Sequence, residues 1–421
     1  MSETLPDTWF AHELGDLMLK IEGGGTPSRT NPNFWDGLIP WATVKDLKGI
    51  RLSSTEESVT EQGILASSSR LVPAKTPIIA TRMAVGKAVV FDKAVAINQD
   101  LKAVYPSKSL NADFFLHWYL AHSEQVSSLA TGSTVKGIRL ETLRALPLAL
   151  PPLPEQQKIA TILSSVDDVI EKTRAQIDKL KDLKTGMMQE LLTQGIGHTE
   201  FKDSPVGRVP ASWGITDLRS AVTKDGLQTG PFGSQLHAHE YIEWGIPVVM
   251  PKDMSDNRVE TSSIARISPQ KADELRKHSV RSGDILFSRR GDVGRFVLIT
   301  EKDEGAICGT GCLRARLSEV VSPFYLACYL TLPKIVEWLN ANAVGQTMLN
   351  LNTSILGNLP VVLPSKPEQD SIGQTIMALE ENIQLKSAKL WALEKHKKAL
   401  MQDLLTGTVR VKVAPTETAA A

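Results

Sequence analysis

The stretch PLPEQQKIATIL at residues 152–163 recurs 213 residues later as SKPEQDSIGQTI at 365–376. The segment that follows also ends in a repeat, since KTGMMQELLTQG at 184–195 returns as KKALMQDLLTG at 397–407. Repeats are sought first because they decide the architecture of a chain. The 421 residues therefore consist of two copies of one plan, and a long segment closes each copy.

Each closing segment has the apolar spacing of a coiled-coil helix. Hydrophobic residues alternate three and four positions apart, which forms the seam by which two helices pack together. A proline near the start and a glycine just past the end are helix boundary signals. A helix of about 39 residues is roughly 58 Å long, so we expect a spacer. The seam residues are Ile159, Leu163, Val166, Ile170, Ile177 and Leu180, and then Ile372, Ile376, Leu379, Ile383, Leu390 and Leu393.

The order of the segments decides how the two helices meet. The first helix leaves the first copy and ends at the second, whereas the second helix leaves the second copy, so paired seams must be antiparallel. The alternative is two amphipathic helices that each pack on their own domain. Four polar residues in the seam either fix its register or lie at solvated ends: Thr173, Lys184, Lys386 and Lys397.

The globular part of each copy has the pattern of a mixed α/β domain. Short runs typical of strands, such as TPIIATR and GDILFSR, precede a helical stretch. ATRMAVGKAVV at 80–90 corresponds to FSRRGDVGRFVL at 287–298 with one inserted residue. The predicted fold class is α/β (α+β), two mixed domains in a pseudo-twofold tandem repeat joined by antiparallel helices. The predicted divisions are domain one at 1–153, helix one at 154–195, a linker and domain two at 196–366, helix two at 367–407 and a tail at 408–421.

Composition excludes several classes of protein. Hydrophobic residues make up 42% and charged residues 22%, as in ordinary globular proteins. The start lacks a signal peptide and no window approaches a spanning helix, so we expect a cytoplasmic protein. The odd set Cys308, Cys312 and Cys328 fits a reducing compartment. Basic and acidic residues number 47 each, so any DNA binding must use local patches or the help of partners.

Catalytic and metal motifs are weak in this sequence. NPNF at 31–34 is one residue from the Asn-Pro-Pro-Phe motif of amino-methyltransferases, but no Gly-rich S-adenosylmethionine loop accompanies it, which favours a simple turn. DLK at 46–48 and at 100–102 matches the acidic-x-Lys element of nucleases no better than chance tripeptides do. There is no P-loop for ATP. HAHE at 237–240 and CGTGC at 308–312 lack a second ligand pair, so we expect no metal.

The remaining polar loops contain the side chains that read DNA. Each copy has a Gly-rich turn, a lysine at a strand end, an arginine-bearing strand–turn and a polar loop before the last strand. Arginine reads guanine, Asn and Gln read adenine, and Ser, Thr and Lys position phosphates. We expect Arg82 and Arg289 to occupy equivalent positions for two different half-sites. The candidates are Thr26, Ser28, Arg29, Lys45, Arg82, Lys87, Ser133, Thr134, Lys136 and Arg139, and then Ser234, Gln235, Lys252, Ser288, Arg289, Arg290, Arg295, Gln346, Thr347, Asn350 and Asn352.

This arrangement resembles a known family. Two variable units, each closed by a helix that opens with P-x-E-Q and ends with M-Q-E/D-L-L-T, are similar to the type I restriction–modification specificity subunit. FKDSPVGRVPASW at 201–213 also looks like this family's entry to its second recognition domain.

The resemblance covers nearly the whole chain and implies a non-catalytic protein that reads a bipartite DNA target. It further implies two methyltransferase subunits and optional restriction (nuclease-translocase) subunits as partners. S-adenosylmethionine, ATP and Mg²⁺ would then serve the partners, with no cofactor in this chain. Two alternatives stay open, a coiled-coil protein-interaction scaffold without DNA specificity and a DNA-methylating enzyme.

Overall fold

The computed structural model describes residues 5–133, 135–232, 234–255, 257–345 and 349–413. These residues form two compact units. The first unit runs to Gln176 and also includes the chain from Ser387 onward, and the second runs from Ile177 to Lys386. Two long helices, Leu153–Leu191 and Lys366–Thr406, therefore each supply one segment to either unit.

The first unit is a mixed α/β structure. One sheet has the order β2-β10-β7-β8-β4, a second has the order β5-β3-β9-β6, and β1 pairs with β11. The strands are β1 Phe10–Glu13, β2 Met18–Gly23, β3 Trp35–Ala42, β4 Arg51–Leu52, β5 Glu57–Val59, β6 Arg70–Val72, β7 Ile78–Ala80, β8 Ala88–Phe91, β9 Val95–Ile97, β10 Leu101–Pro106 and β11 Pro147–Leu150. The short α-helices are Glu61–Leu65, Ala112–Ala121, Ser123–Ser128 and Leu140–Arg144.

The second unit repeats most of this plan. Its sheets have the orders β15-β24-β21-β22 and β16-β20-β17-β23, and the pairs β12-β13, β14-β25 and β18-β19 complete it. The strands are β12 Phe201–Ser204, β13 Gly207–Pro210, β14 Gly214–Asp217, β15 Val222–Thr229, β16 Tyr241–Ile242, β17 Ile246–Val249, β18 Met254–Ser255, β19 Arg258–Val259, β20 Arg266–Ile267, β21 Ile285–Ser288, β22 Phe296–Leu298, β23 Ile307–Cys308, β24 Cys312–Leu317 and β25 Pro360–Leu363. The short α-helices are Leu218–Ala221, Pro269–Glu274, Pro323–Tyr329, Pro333–Asn342 and Thr353–Gly357.

Strand pairing shows that the two units share one topology. In the first, β3 pairs with β5 antiparallel and with β9 parallel. In the second, β17 pairs with β20 antiparallel and with β23 parallel. The strands β7, β8, β21 and β22 are fully buried, which explains their continuous apolar runs. The predicted tandem α/β architecture is confirmed.

The P-x-E-Q sequence that opens both long helices has a structural cause within each unit. The Glu155 carboxylate accepts hydrogen bonds from the indole of Trp9 at 3.1 Å and from Arg410 at 2.7 Å. The neighbouring Gln156 accepts from the backbone N–H of Asn111 and donates to the carbonyl of Pro151. The P-x-E-Q motif therefore connects the start of the long helix to Trp9 near the N-terminus, to Arg410 near the C-terminus and to Asn111 before the helix Ala112–Ala121.

The second unit contains the same anchor, with a histidine in the place of the arginine. The Glu368 carboxylate accepts from the indole of Trp213 at 3.3 Å and lies 2.8 Å from Nε2 of His198. Gln369 accepts from the backbone N–H of Ser322 and donates to the carbonyl of Pro364. His198 follows the end of the first long helix as Arg410 follows the end of the second.

Inside each unit the two long-helix segments run antiparallel. In the first unit Asp167 pairs with Lys397 at 2.5 Å, and Arg174 further along pairs with Glu394. In the second, Lys184 pairs with Glu380. Lys184 and Lys397 are repeat-equivalent, as are Asp167 and Glu380. These seam lysines are paired in register with carboxylates and do not lie at solvated ends.

The apolar seam residues face inward. Ile159 and Leu163 belong to the core of the first unit, and Ile372 and Ile376 belong to that of the second. All twelve predicted seam residues are buried or half-buried. The third polar seam residue, Thr173, is buried and donates its hydroxyl to the carbonyl of Val169.

The linker that is predicted to begin at residue 196 is folded. β12 and β13 form a hairpin in which Val209 is fully buried and Val206 nearly so. Val206, Val209 and Pro210 are the buried side chains of this hairpin. The described start of the tail is also packed, because Arg410 binds Glu155.

Candidate nucleic-acid interface

In the first unit the arginine-bearing turn and the polar loop before the last strand lie side by side. The turn follows β7, and its Arg82 pairs with Gly137 through an isolated β-bridge. The N–H of Met83 donates to the carbonyl of Lys136 at 3.0 Å, and the N–H of Ile138 donates to that of Thr81 at 2.9 Å. Two loops that are far apart in sequence therefore form one surface.

The second unit joins the same two loops in the same way. Arg290 pairs with Asn350 through an isolated bridge. The N–H of Gly291 donates to the carbonyl of Leu349, and the N–H of Leu351 donates to that of Arg289 at 2.8 Å. The frames are equivalent and the side chains differ, as expected for two different half-sites.

These bonds correct the predicted equivalence of Arg82 and Arg289. The N–H of Ala80 donates to the carbonyl of Lys87, as the N–H of Ser288 does to that of Arg295. Arg82 therefore corresponds to Arg290, and the equivalent of Arg289 is the buried Thr81. The two turns have equal length, so no residue is inserted. Matching arginine to arginine places the sequence alignment one position out of register.

Ser288 is the second correction. It is 1% exposed at the end of β21, and its hydroxyl donates to the carbonyl of Arg290 at 3.0 Å. The serine fixes the start of the turn, so a direct contact with DNA is not expected of it.

The Gly-rich turns pack on a further turn that the sequence did not reveal. In the first unit the N–H of Gly25 donates to the carbonyl of Ile97, and the Thr26 hydroxyl donates to Oε1 of Gln99 at 2.7 Å. A Cβ on Gly24 would lie 1.8 Å from the carbonyl oxygen of Ile97, so only glycine fits there. The β9–β10 turn also brings Asp100 to 3.6 Å from Arg82.

The equivalent β23–β24 turn performs the same task in the second unit. The N–H of Gly230 donates to the carbonyl of Cys312, and the Thr310 hydroxyl donates to that of Pro231 at 3.1 Å. The N–H of Arg289 donates to the carbonyl of Gly311 in this turn. Gln99 and Thr310 are thus site residues that sequence reasoning missed. The sequence feature that could have identified them is the short polar segment between two apolar strand sequences.

Within the candidate loops, one described arginine of each unit lies on an aromatic ring and is held by a side-chain oxygen. Arg29 is paired through both terminal nitrogens with the Glu57 carboxylate, and its guanidinium carbon lies 3.7 Å from the Trp35 ring centre. Arg289 donates from Nε to Oδ1 of Asn350 at 3.2 Å, with its guanidinium carbon 5.7 Å from the Phe232 ring centre.

The lysines at strand ends are exposed and lie on short 3₁₀ turns. Lys45 and Lys252 occupy equivalent turns, which are capped by the carboxylates of Asp46 and Asp253. A basic side chain of the arginine-bearing turn contacts each of these regions. Lys87 donates to the carbonyl of Leu47, and Arg295 donates to the carbonyl of Pro251. These cations are therefore grouped beside the arginine-bearing turns.

The other candidates are mainly exposed polar residues of the same loops. Ser28, Ser133, Lys136, Arg139 and Ser234 are exposed. Gln235 is half-buried and accepts from the N–H of Phe232. Asn352 is exposed and its amide oxygen caps the helix Thr353–Gly357. Thr134, Gln346 and Thr347 lie outside the described residues.

The motifs weighed for catalysis have ordinary structural roles. Asn31 of NPNF accepts from the N–H of Asn33 and caps a 3₁₀ turn. Asp46 caps the next turn along the chain. Cys308 and Cys312 are buried free thiols, and burial raises the pKa of Cys308 to about 12.

Neither a metal cluster nor a membrane span is found in the described part of the chain. No group of three or more His, Cys, Asp or Glu side chains there is arranged to hold a metal ion. Of the helices in the same ranges, none is both long and apolar enough to cross a bilayer.

Comparisons with known proteins agree over most of the chain. A profile of the type I restriction modification DNA specificity domain family matches residues 6–182 and 240–395. The type I restriction enzyme MjaVIII specificity subunit of Methanocaldococcus jannaschii is 24% identical over 415 residues, which are 97% of this chain and 94% of that protein. The EcoKI specificity subunit of Escherichia coli is 20% identical over 405 residues, covering 89% and 82%. The type I S subunit from M. genitalium superposes with a TM-score of 0.65 at 14% identity, covering 96% and 97%, and this likeness shows the fold.

Proposed function

The chain belongs to the type I restriction modification DNA specificity family, and we propose on this premise that it reads a bipartite DNA target with one half-site per unit. The observation that carries the proposal is the repeated convergence of three loops. In each unit backbone hydrogen bonds join the arginine-bearing turn to the polar loop and to the β9–β10 or β23–β24 turn, on which the Gly-rich turn also packs. Together these loops form one surface of guanidinium, ammonium, amide and hydroxyl groups. Such groups bind base edges and phosphates.

The proposal includes partners that carry the chemistry. We propose that two methyltransferase subunits, with or without restriction subunits, bind this chain, and that S-adenosylmethionine, ATP and Mg²⁺ serve those partners in the cytoplasm. The chain's own role is then recognition and scaffolding. Equal numbers of acidic and basic residues support this division, because partners would supply the phosphate contacts that a net-neutral protein lacks.

Exposed apolar side chains on the long helices support partner binding. Trp391 is 64% exposed and Leu385 is 67% exposed. Apolar groups of this size gain most when a partner covers them. This feature alone would equally suit a protein scaffold without DNA specificity, so the decisive test must read DNA sequence.

The test is a genome-wide map of methylated bases in a host that expresses the methyltransferase partner with and without this chain. We expect a bipartite methylated sequence only when the chain is present. An unchanged methylation pattern would contradict DNA specificity and would favour the alternative of a protein-interaction scaffold. Purified chain alone should transfer no methyl groups, and activity that follows its concentration through purification would instead support a methylating enzyme.

A further inference from the structure

We propose that Arg29 and Arg289 are the guanine-reading residues of the two units, each pre-positioned by an aromatic ring and a side-chain oxygen, so that each half-site contains a G·C pair. The inference rests on the proposed function and names what each surface recognises. It assigns Glu57 and Asn350 as positioning residues that act on DNA through their arginines.

The Glu57 carboxylate fixes which edge of Arg29 is free. It binds Nη1 and Nη2 in a bidentate pair, with an Nη2–Oε2 distance of 2.9 Å. A guanidinium has five N–H donors, and Glu57 accepts from one on Nη1 and one on Nη2. Among the described residues, the edge formed by Nε and the second Nη2 hydrogen therefore remains available to a ligand. That edge matches the O6 and N7 acceptors of guanine.

Stacking fixes the plane of the same guanidinium. Trp35 lies 3.7 Å from the guanidinium carbon, and its indole N–H donates to the carbonyl of Ser28 in the Gly-rich turn. Trp41 packs edge-on against Trp35 with ring centres 5.0 Å apart. The plane of the Arg29 guanidinium and its free edge are therefore both fixed before DNA binds, while the side chain stays 54% exposed.

Arg289 reaches an analogous state from a different loop. Asn350 accepts from Nε, so the Nη1 and Nη2 edge is the one presented to a ligand, again within the described ranges. Phe232 of the Gly-rich turn, 55% exposed, lies beneath the guanidinium. The backbone of Arg289 is anchored by the carbonyl of Gly311 and the N–H of Leu351.

Pre-positioning favours discrimination over general attraction. A flexible surface lysine attracts any DNA through its charge. A guanidinium with a fixed plane and a fixed free edge forms both hydrogen bonds only with a pair of acceptors at the matching position. Arg82 lies 3.6 Å from Asp100 and stacks on no aromatic ring among the described residues, so it fits phosphate positioning better. Among the candidate loops, Arg29 and Arg289 are the arginines with both supports.

The test uses the assembled complex and its methylated target as mapped for the wild type. Arg29→Ala should relax one G·C position in one half-site, and Arg289→Ala should relax one G·C position in the other. Loss of a bidentate base contact should reduce discrimination at that position about five- to 150-fold. Arg29→Lys should relax the same position, because an ammonium keeps the charge but lacks the planar donor pair that Trp35 and Glu57 hold in one orientation. Arg144→Ala, at an exposed arginine of the helix Leu140–Arg144, is the matched control and should leave the target unchanged.

Modified DNA supplies a second measurement. Replacing the assigned guanine by 7-deazaguanine removes the N7 acceptor, so it should weaken binding by the wild-type complex but not by the matching alanine variant. Glu57→Gln and Asn350→Ala should lower discrimination at the same positions without lowering affinity for unrelated DNA at the same salt. A purely structural defect would lower both affinities.

The outcomes separate this inference from the proposed function. If the wild type methylates a bipartite target and neither arginine variant relaxes a position, the inference is wrong and the function stands. Relaxation at an A·T position, or indifference of the wild type to 7-deazaguanine, would also overturn it. Absence of any bipartite target in the wild type would overturn the function itself.

Discussion

Replacing Lys397 by methionine should destabilise the protein far more than the same change at its repeat-equivalent, Lys184. The Lys397 and Asp167 side chains are only 13% and 8% exposed, so the variant leaves a carboxylate buried without its cation. Burial already raises the pKa of Asp167 despite the nearby lysine. Breaking a buried pair on one side costs about 3–5 kcal/mol.

The second pair is nearer to water. The Lys184 and Glu380 side chains are 31% and 22% exposed. Burial tends to raise the pKa of Glu380, but the hydrogen bond from Lys184 and its charge bring it below the ordinary value. Water can screen and solvate the carboxylate left by Lys184→Met, so we expect a loss of about 1–2 kcal/mol.

The assay is urea unfolding of the full chain followed by circular dichroism, with free energies taken from midpoints and slopes. The double variant Asp167→Leu with Lys397→Met should recover most of the loss, because it removes both charges from the buried site. Equal losses for Lys397→Met and Lys184→Met would refute the reasoning from burial. Additive losses in the double variant would show that the two side chains do not interact.

Three further predictions concern a buried histidine, a tight turn and a helix anchor. Burial, with the charges of Lys397 and Arg51, lowers the pKa of His117 to about 3. Between that value and about 6.5 the unfolded chain binds a proton that the folded chain does not bind. The free energy of unfolding should therefore fall as the pH drops below about 6.5. His117→Gln should flatten that slope by up to about 1.4 kcal/mol per pH unit when urea unfolding is repeated across this pH range. Gly24→Ala should abolish recognition of one half-site because its Cβ would meet the carbonyl of Ile97 at 1.8 Å, whereas Gly186→Ala, with open space around it, should be tolerated when DNA binding is compared. Glu155→Gln should cost about 1.5–3 kcal/mol in thermal or urea unfolding because Trp9 and Arg410 lose their shared carboxylate, and an unchanged stability would contradict the anchor role.

Local patterns predicted the elements of the fold. The three-four spacing predicted both long helices because the same residues that repeat at that spacing, such as Leu163 and Ile376, are buried in the two cores. Continuous apolar runs predicted β7 and β21 because these strands are buried on both faces. The repeat predicted the shared topology because equivalent sequences make equivalent pairings.

Contacts between distant residues could not be predicted in this way. Arg29 and Glu57 are 28 positions apart, and only the pairing of β3 with β5 brings Glu57 beside the ring of Trp41. Arg410 and Glu155 are 255 positions apart. The register error between Arg82 and Arg289 has a similar origin, since backbone hydrogen bonds rather than letters decide which turn residues are equivalent.

Competition binding by the complex of this chain with its methyltransferase partner tests the central claim most directly. Three duplexes are compared at one salt concentration: the intact bipartite site, the site with its first half scrambled, and the site with its second half scrambled. Reading by two units predicts that scrambling either half lowers affinity toward the non-specific level, which is typically 10³-fold or more weaker than specific binding. Affinity that survives the loss of one half while depending wholly on the other would contradict recognition by both units.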